Sequence, residues 1–213
     1  MKKFTNIFVA LGVTLFLLTV GIKSEAVAKE PCPTGWTSVT DTVTDDGCEF
    51  EVGLCVLCSF SYPGQVKFNY FKQLDECASI LLPGQIKSQI MSQVQTYAYK
   101  YFDYCQFTLL PFDQKERKKI KFNSPVCWFA RLYYKTQNDL RYYYLPCDDD
   151  AYCEVTYSYC VDKNGVVQSS PDPGFTPYNF PYDCFLEGHQ VPLPTGEIGD
   201  ESDCYILHTP CNL

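Results

Sequence analysis

The chain has 213 residues with 17 basic and 25 acidic side chains, a net charge of −8, and 13 cysteines. That acidic balance disfavours nucleic acid and anionic membrane surfaces, which carry the same sign of charge. The length is enough for one hydrophobic core, alone or with an appendage, so the cysteines reinforce a fold that does not need them to offset a small size.

The chain opens with a short basic start, Met1-Lys2-Lys3. An apolar run follows from Ile7 to Val20, interrupted only by Gly12, Thr14 and Thr19. A membrane-spanning helix needs about 20 apolar residues, whereas the apolar part of a secretory signal needs about 7–15. Ala26-Val27-Ala28 then supplies small residues, and cleavage is expected after Ala28. The first cysteine, Cys32, follows Lys29-Glu30-Pro31, a context unlike a lipid-attachment site. The expected mature chain, Lys29 to Leu213, has 14 basic and 24 acidic side chains and a net charge of −10. It contains no further span-length apolar stretch. Secretion, or export to the periplasm or cell surface, is the expected destination.

All 13 cysteines belong to this mature part: Cys32, Cys48, Cys55, Cys58, Cys77, Cys105, Cys127, Cys147, Cys153, Cys160, Cys184, Cys204 and Cys211. In an oxidising compartment all are disulfide candidates. Their odd number leaves one over, as a free thiol, a buried reduced cysteine or a bridge to another chain.

Thr37 to Val43 reads as a polar strand and Thr44-Asp45-Asp46-Gly47 as a turn. From Cys48 to Phe60 alternation is clear: Cys48, Phe50, Val52, Leu54, Val56, Cys58 and Phe60 share one face. Tyr62-Pro63-Gly64 turns the chain into a strand over Val66–Phe71. After Pro83-Gly84 the period changes. Ile86, Ile90, Val94, Tyr97 and Tyr101, continued by Cys105, form one face of an amphipathic helix at about 84–104, with a shorter helical piece before it at Asp75–Leu82. Pro111 to Lys119 reads as a loop. Val126, Trp128, Ala130, Leu132 and Tyr134 then mark a strand, Leu140–Leu145 its hairpin partner, and Cys153–Val161 a third strand of the group. From Gln168 onward periodicity fades, and seven of the 14 prolines lie between Pro171 and Pro210.

The expected fold is therefore α+β: a mainly antiparallel sheet with one amphipathic helix packed on it, disulfide-rich, with an irregular C-terminal wrap. The expected organisation is a signal peptide at 1–28, a domain at 29–167, and a proline-rich, cysteine-tied extension at 168–213 packed on that domain.

Cys55-Val-Leu-Cys58 has redox spacing, but it lies in a strand pattern with no helix after it. Residues three apart on a strand face opposite ways, which favours separate structural disulfides. Cys204, His208 and Cys211 are weak metal candidates; a zinc site would need a fourth ligand such as His189, and bridged cysteines suit the compartment better. Asp148-Asp149-Asp150 with Glu154, and Asp200-Glu201-Ser202-Asp203, are oxygen-rich but lack the spacing of a calcium loop. Lys115-Glu116-Arg117-Lys118-Lys119-Ile120-Lys121, the basic cluster, reads as a solvated loop or a weak anion site. His189 and His208 are the only histidines, and no nucleophile elbow, metalloprotease helix or phosphate loop occurs.

Tyr133, Tyr134, Tyr142, Tyr143 and Tyr144 fall on adjacent strands. Consecutive residues face opposite ways, so one set packs on the helix and the other forms a candidate binding surface for a sugar ring or protein partner. Cross-strand packing is the plainer role for both. No catalytic residue or cofactor is assigned. The expected function is an exported, cysteine-rich, non-catalytic module for extracellular binding or structural assembly, with a protein or glycan surface as partner. The alternatives are a secreted hydrolase using acidic residues, and a thiol–disulfide or metal-handling protein.

Overall fold

The structure, a computed structural model, describes residues 31–45, 47–58, 63–75, 83–105, 108–113, 117–136, 139–147, 152–174, 176–178, 184, 186–187 and 193–206. The expected signal segment and the helical piece expected at Asp75–Leu82 lie outside them, apart from Asp75.

Strands β1 (Thr37–Asp45) and β2 (Cys48–Leu57) form an antiparallel hairpin in which Asp45 faces Cys48. Gly47 sits in the turn at φ 77°, a left-handed conformation that glycine adopts without a Cβ clash. The alternation of β2 has its expected consequence: Cys48, Phe50, Val52, Leu54 and Val56 are all buried. β3 (Gly64–Gln73) returns antiparallel to β2, with a register shift at Gly53/Leu54. Gly53 lies under the ring of Tyr70, where a Cβ would come within 2.0 Å of the aromatic carbons.

Helix α1 (Pro83–Tyr97) continues as a 3₁₀ segment, Ala98–Cys105. Ile90, Val94 and Tyr101 are buried as the period requires, but Tyr97 is 53% exposed and Ala98 takes its place in the core. The stripe turns inward one residue later because 94 to 98 is a full i, i+4 step, while the α-helical winding ends at Tyr97.

The remaining strands are β4 (Lys118–Pro125), β5 (Cys127–Thr136), β6 (Asp139–Pro146), β7 (Tyr152–Val161), β8 (Val167–Pro171), β9 (Thr176–Tyr178), β10 (Leu186–Glu187) and β11 (Tyr205–Ile206). β3 is the hub. One of its edges follows β2; along the other, Gly64–Lys67 pair with β4 in parallel and Phe71–Lys72 pair with β6 antiparallel. Two wings leave it: β4 to β7 and then β8 or β9, and β6 to β5 and then β11 and β10. The chain thus adopts the expected α+β class, a mainly antiparallel sheet with one α-helix among the described residues.

Three local expectations change. Lys118–Lys121 do not belong to a loop; they open β4, where Ile120 and Phe122 are buried at 0% and 1% exposure. Two apolar side chains at period two outweigh the charge of the intervening lysines, which point outward. β7 does not join the β5–β6 hairpin but pairs with β4 over its length. Regular structure continues past residue 168, since β8 closes a hairpin on β7.

The core lies between the sheet and the helix. Phe50, Phe71, Phe122 and Trp128 from the strands meet Ile90, Val94 and Phe102 from the helical segment. Trp128 is fully buried, and its indole N–H donates to the Pro125 carbonyl at 2.8 Å. Each such large apolar side chain contributes about 1.5–3 kcal/mol on burial.

Candidate functional site

The cysteines carry most of the candidate chemistry, and the fold distributes them. Cys55 is bonded to Cys32, and Cys58 to Cys105. The two sulfurs of the CxxC therefore serve different bridges, one fixing the N-terminal segment to β2 and one fixing the end of β2 to the 3₁₀ segment. Cys127 is bonded to Cys184 and Cys147 to Cys204. Cys48 and Cys153 are also disulfide-bonded. Cys204 is thus a half-cystine, which is not a thiolate ligand; His189, His208 and Cys211 lie outside the described residues, as does Cys77. Cys160 carries a free thiol and is buried at 2% exposure, so it is not placed to bridge to another chain.

The acidic candidates have protein partners. Glu154 pairs with Lys121 at 2.7 Å, Glu201 with Arg131, and Asp200 accepts the Glu197 amide at 2.8 Å. Asp148 to Asp150 are outside the described residues. No group of three metal-binding side chains occurs among the described residues.

Of the basic cluster, Lys119 pairs with Asp172 at 2.7 Å, and Ser158 donates to the same carboxylate at 2.6 Å. Burial pushes Asp172 up, but the Lys119 and Ser158 hydrogen bonds outweigh it and hold the carboxyl below its ordinary value. Arg117 lies over the Phe112 ring at 4.7 Å. Lys115 and Glu116 are outside the described residues.

The tyrosines divide by strand parity. Tyr144 stacks on Phe71 at 4.5 Å on the helix side. Tyr143 lies on the opposite face, edge-on to Tyr70 at 5.0 Å. Both are 2% exposed, so neither ring is offered to solvent. Tyr142 is half-buried against the core, and the Tyr134 side chain is outside the description. Tyr133 is half-buried: its hydroxyl donates to the Gln73 carbonyl at 2.7 Å and Lys72 sits 4.5 Å from its ring. Sequence reasoning missed a second aromatic pair on the face away from the helix. There Tyr152 of β7 stacks on Tyr178 of β9 at 4.6 Å, both half-buried, with the Lys121–Glu154 pair beside them on the sheet. The signal was weak because Tyr178 lies in the proline-rich region, where no periodicity marks a strand.

Burial raises the pKa of Tyr142, Tyr152, Tyr157 and Tyr159 above the usual phenol value. Tyr157 and Tyr159 both donate to Gln95 of α1, to its side-chain oxygen and its carbonyl. No protein-family model matches the chain, and no characterised protein or solved structure matches it either.

Proposed function

We propose that the chain is an exported, disulfide-braced module that works by contact, in extracellular binding or structural assembly, and not by catalysis. Disulfides at this density suit an oxidising compartment. No helix among the described residues is long and apolar enough to cross a membrane. The observation that carries the contact reading is the stacked Tyr152–Tyr178 pair flanked by Lys121 and Glu154. Aromatic rings supply apolar area with a polar tip, and a neighbouring charge pair supplies hydrogen bonds in both directions, a combination suited to a sugar ring or a protein loop.

Two measurements test this. N-terminal sequencing of the exported protein is expected to start at Lys29. On an array of neutral and acidic oligosaccharides, retained sugars are expected to lose about two- to tenfold in affinity with Tyr178→Ala, since one stacked aromatic contributes about 0.5–1.5 kcal/mol beyond its area. Retention unaffected by Tyr178→Ala, or by the same change at Tyr152, would rule out this face as the contact surface.

A further inference from the structure

The β7–β8 hairpin turns through Asp162-Lys163-Asn164-Gly165-Val166, the one place in the chain where glycine follows asparagine. Lys163, Asn164, Gly165 and Val166 are exposed. Gly165 has a φ of 80°, and nothing lies within 4 Å of the position its Cβ would take. A glycine after an asparagine removes the side chain that would shield the asparagine amide group from the next backbone nitrogen. By its sequence, this is the pair of residues most prone to lose ammonia.

The folded turn opposes that chemistry. Gly165 N–H donates to the Asp162 carbonyl at 3.0 Å, and Asp162 N–H donates to the Val166 carbonyl at 2.9 Å. Asp162 Oδ1 accepts from the backbone amides of Asn164 at 2.8 Å and Val166 at 2.9 Å, and Gln168 Nε2 donates to Oδ2 at 3.3 Å. A four-residue turn followed by a left-handed glycine suits the twist of a hairpin. One side chain thus fixes the amides on both sides of Gly165, and those bonds hold the Asp162 carboxyl below its ordinary value. The nitrogen that would attack is itself bound to the Asp162 carbonyl.

We propose that Asn164 is a site of spontaneous deamidation that the folded turn keeps shut, with Asp162 as the residue that holds it. When the turn opens, Gly165 N gives its proton to a solvent base and attacks Asn164 Cγ. The N–Cγ bond forms, the Cγ–Nδ2 bond breaks, and Nδ2 takes a proton from water and leaves as ammonia. A second water then opens the cyclic imide at either carbonyl, giving aspartate or isoaspartate. In sum, the asparagine amide and water become a carboxylic acid and ammonia, with no oxidant or reductant. In isoaspartate the main chain runs through Cβ, so the turn gains a backbone carbon and loses the register of its closing bonds. The change is one-way, and its rate reports how often this end of the hairpin opens.

Incubation of the whole mature protein, disulfides intact, in mildly alkaline buffer tests it, with peptide mapping to locate the exchange of an amide for an acid and any isoaspartate. The folded protein is expected to convert Asn164 at least about tenfold more slowly than the same protein in denaturant, because opening governs the rate. Asp162→Ala, its fold checked by near-ultraviolet circular dichroism, is expected to convert Asn164 at least about threefold faster than the wild type, since two hydrogen bonds to the turn are gone. Asp162→Asn keeps an acceptor oxygen and falls between the two. Amide exchange at Gly165 in the wild type is expected to be slowed at least about tenfold, a readout that needs no variant. Equal rates in the folded and denatured protein overturn the gate, as does an unprotected Gly165 amide or a folded Asp162→Ala variant that converts no faster. Should Asp162→Ala fail to fold, the two wild-type measurements decide. Ammonia lost first from another asparagine, or no conversion of Asn164 even in denaturant, overturns the site itself.

Discussion

The sheet around β3 and the segment 193–206 both run alongside neighbouring strands, yet different forces hold them. β2, β3 and β4 bury a largely apolar face against α1 and the 3₁₀ segment, with Ser124 as a buried polar member that donates to Met91 Sδ. Residues 195–201 are exposed, and the segment is tied to β5 by backbone bonds. Leu132 donates to the Asp200 carbonyl at 2.8 Å, Gly199 to Leu132 at 2.9 Å and Ser202 to Ala130 at 2.9 Å. The Cys147–Cys204 bridge and the Arg131–Glu201 pair complete its attachment. Where apolar area is scarce, covalent bonds and edge pairing take over. The Cys147–Cys204 bridge thus lies where the core does not reach, whereas Cys48, Cys55, Cys127 and Cys153 are buried.

The largest expected effect is in the core. Trp128→Ala removes a fully buried ring that lies 5.2 Å from Phe71 and is expected to cost about 3–5 kcal/mol, measured by denaturant unfolding. A loss below about 1 kcal/mol would mean that the sheet–helix core is not the main source of stability.

Removing Cys147 and Cys204 together, as the double alanine variant, is expected to cost about 2–4 kcal/mol. The local signature separates it from the core change. Amide exchange at Leu132 and Ser202 should accelerate, while β2 and β3 keep their protection. Equal acceleration in both regions would erase the distinction between them.

The acid limb of stability sharpens the comparison from the other side. Burial pushes Asp41 up, but its bonds to Lys100 and Tyr101 outweigh that and hold it below the usual carboxylate value. A depressed carboxyl stabilises the fold fully above its unfolded pKa, about 3.9, and this contribution fades as the pH falls through the lower folded value. Tyr101→Phe removes one of the bonds, so the loss of stability below about pH 4 should be shallower in that variant. An unchanged acid limb would remove Asp41 from the anchoring of β1 to the helical segment. The smallest effect expected is at the exposed Arg131–Glu201 pair, where Glu201→Ala costs about 0–1 kcal/mol by the same unfolding assay.

Much of this was readable from local pattern. Alternation over Cys48–Val56 and the apolar repeat at Ile90 and Val94 mark elements whose burial follows their period. β4 was hidden because Lys118, Lys119 and Lys121 surround Ile120, and charge density suggested a solvated loop where only the second face is solvated. β7 was legible as a strand but not in its pairing: its partner β4 precedes the β5–β6 hairpin, and neighbouring strands in sequence are only the default neighbours in space. The same limit applies to the candidate surface. Tyr133 and Tyr143 were correctly placed on paired strands, but the exposed-side stack of Tyr152 on Tyr178 depends on a three-residue strand that composition conceals.

The account rests on the cysteines being braces and not reagents. Peptide mapping of the exported protein without reduction tests this most directly. The expected pairs are Cys32–Cys55, Cys58–Cys105, Cys127–Cys184 and Cys147–Cys204, with Cys160 as a thiol that reacts only after unfolding. A Cys55–Cys58 bridge, or Cys204 recovered as a reactive thiol in the native protein, would contradict it.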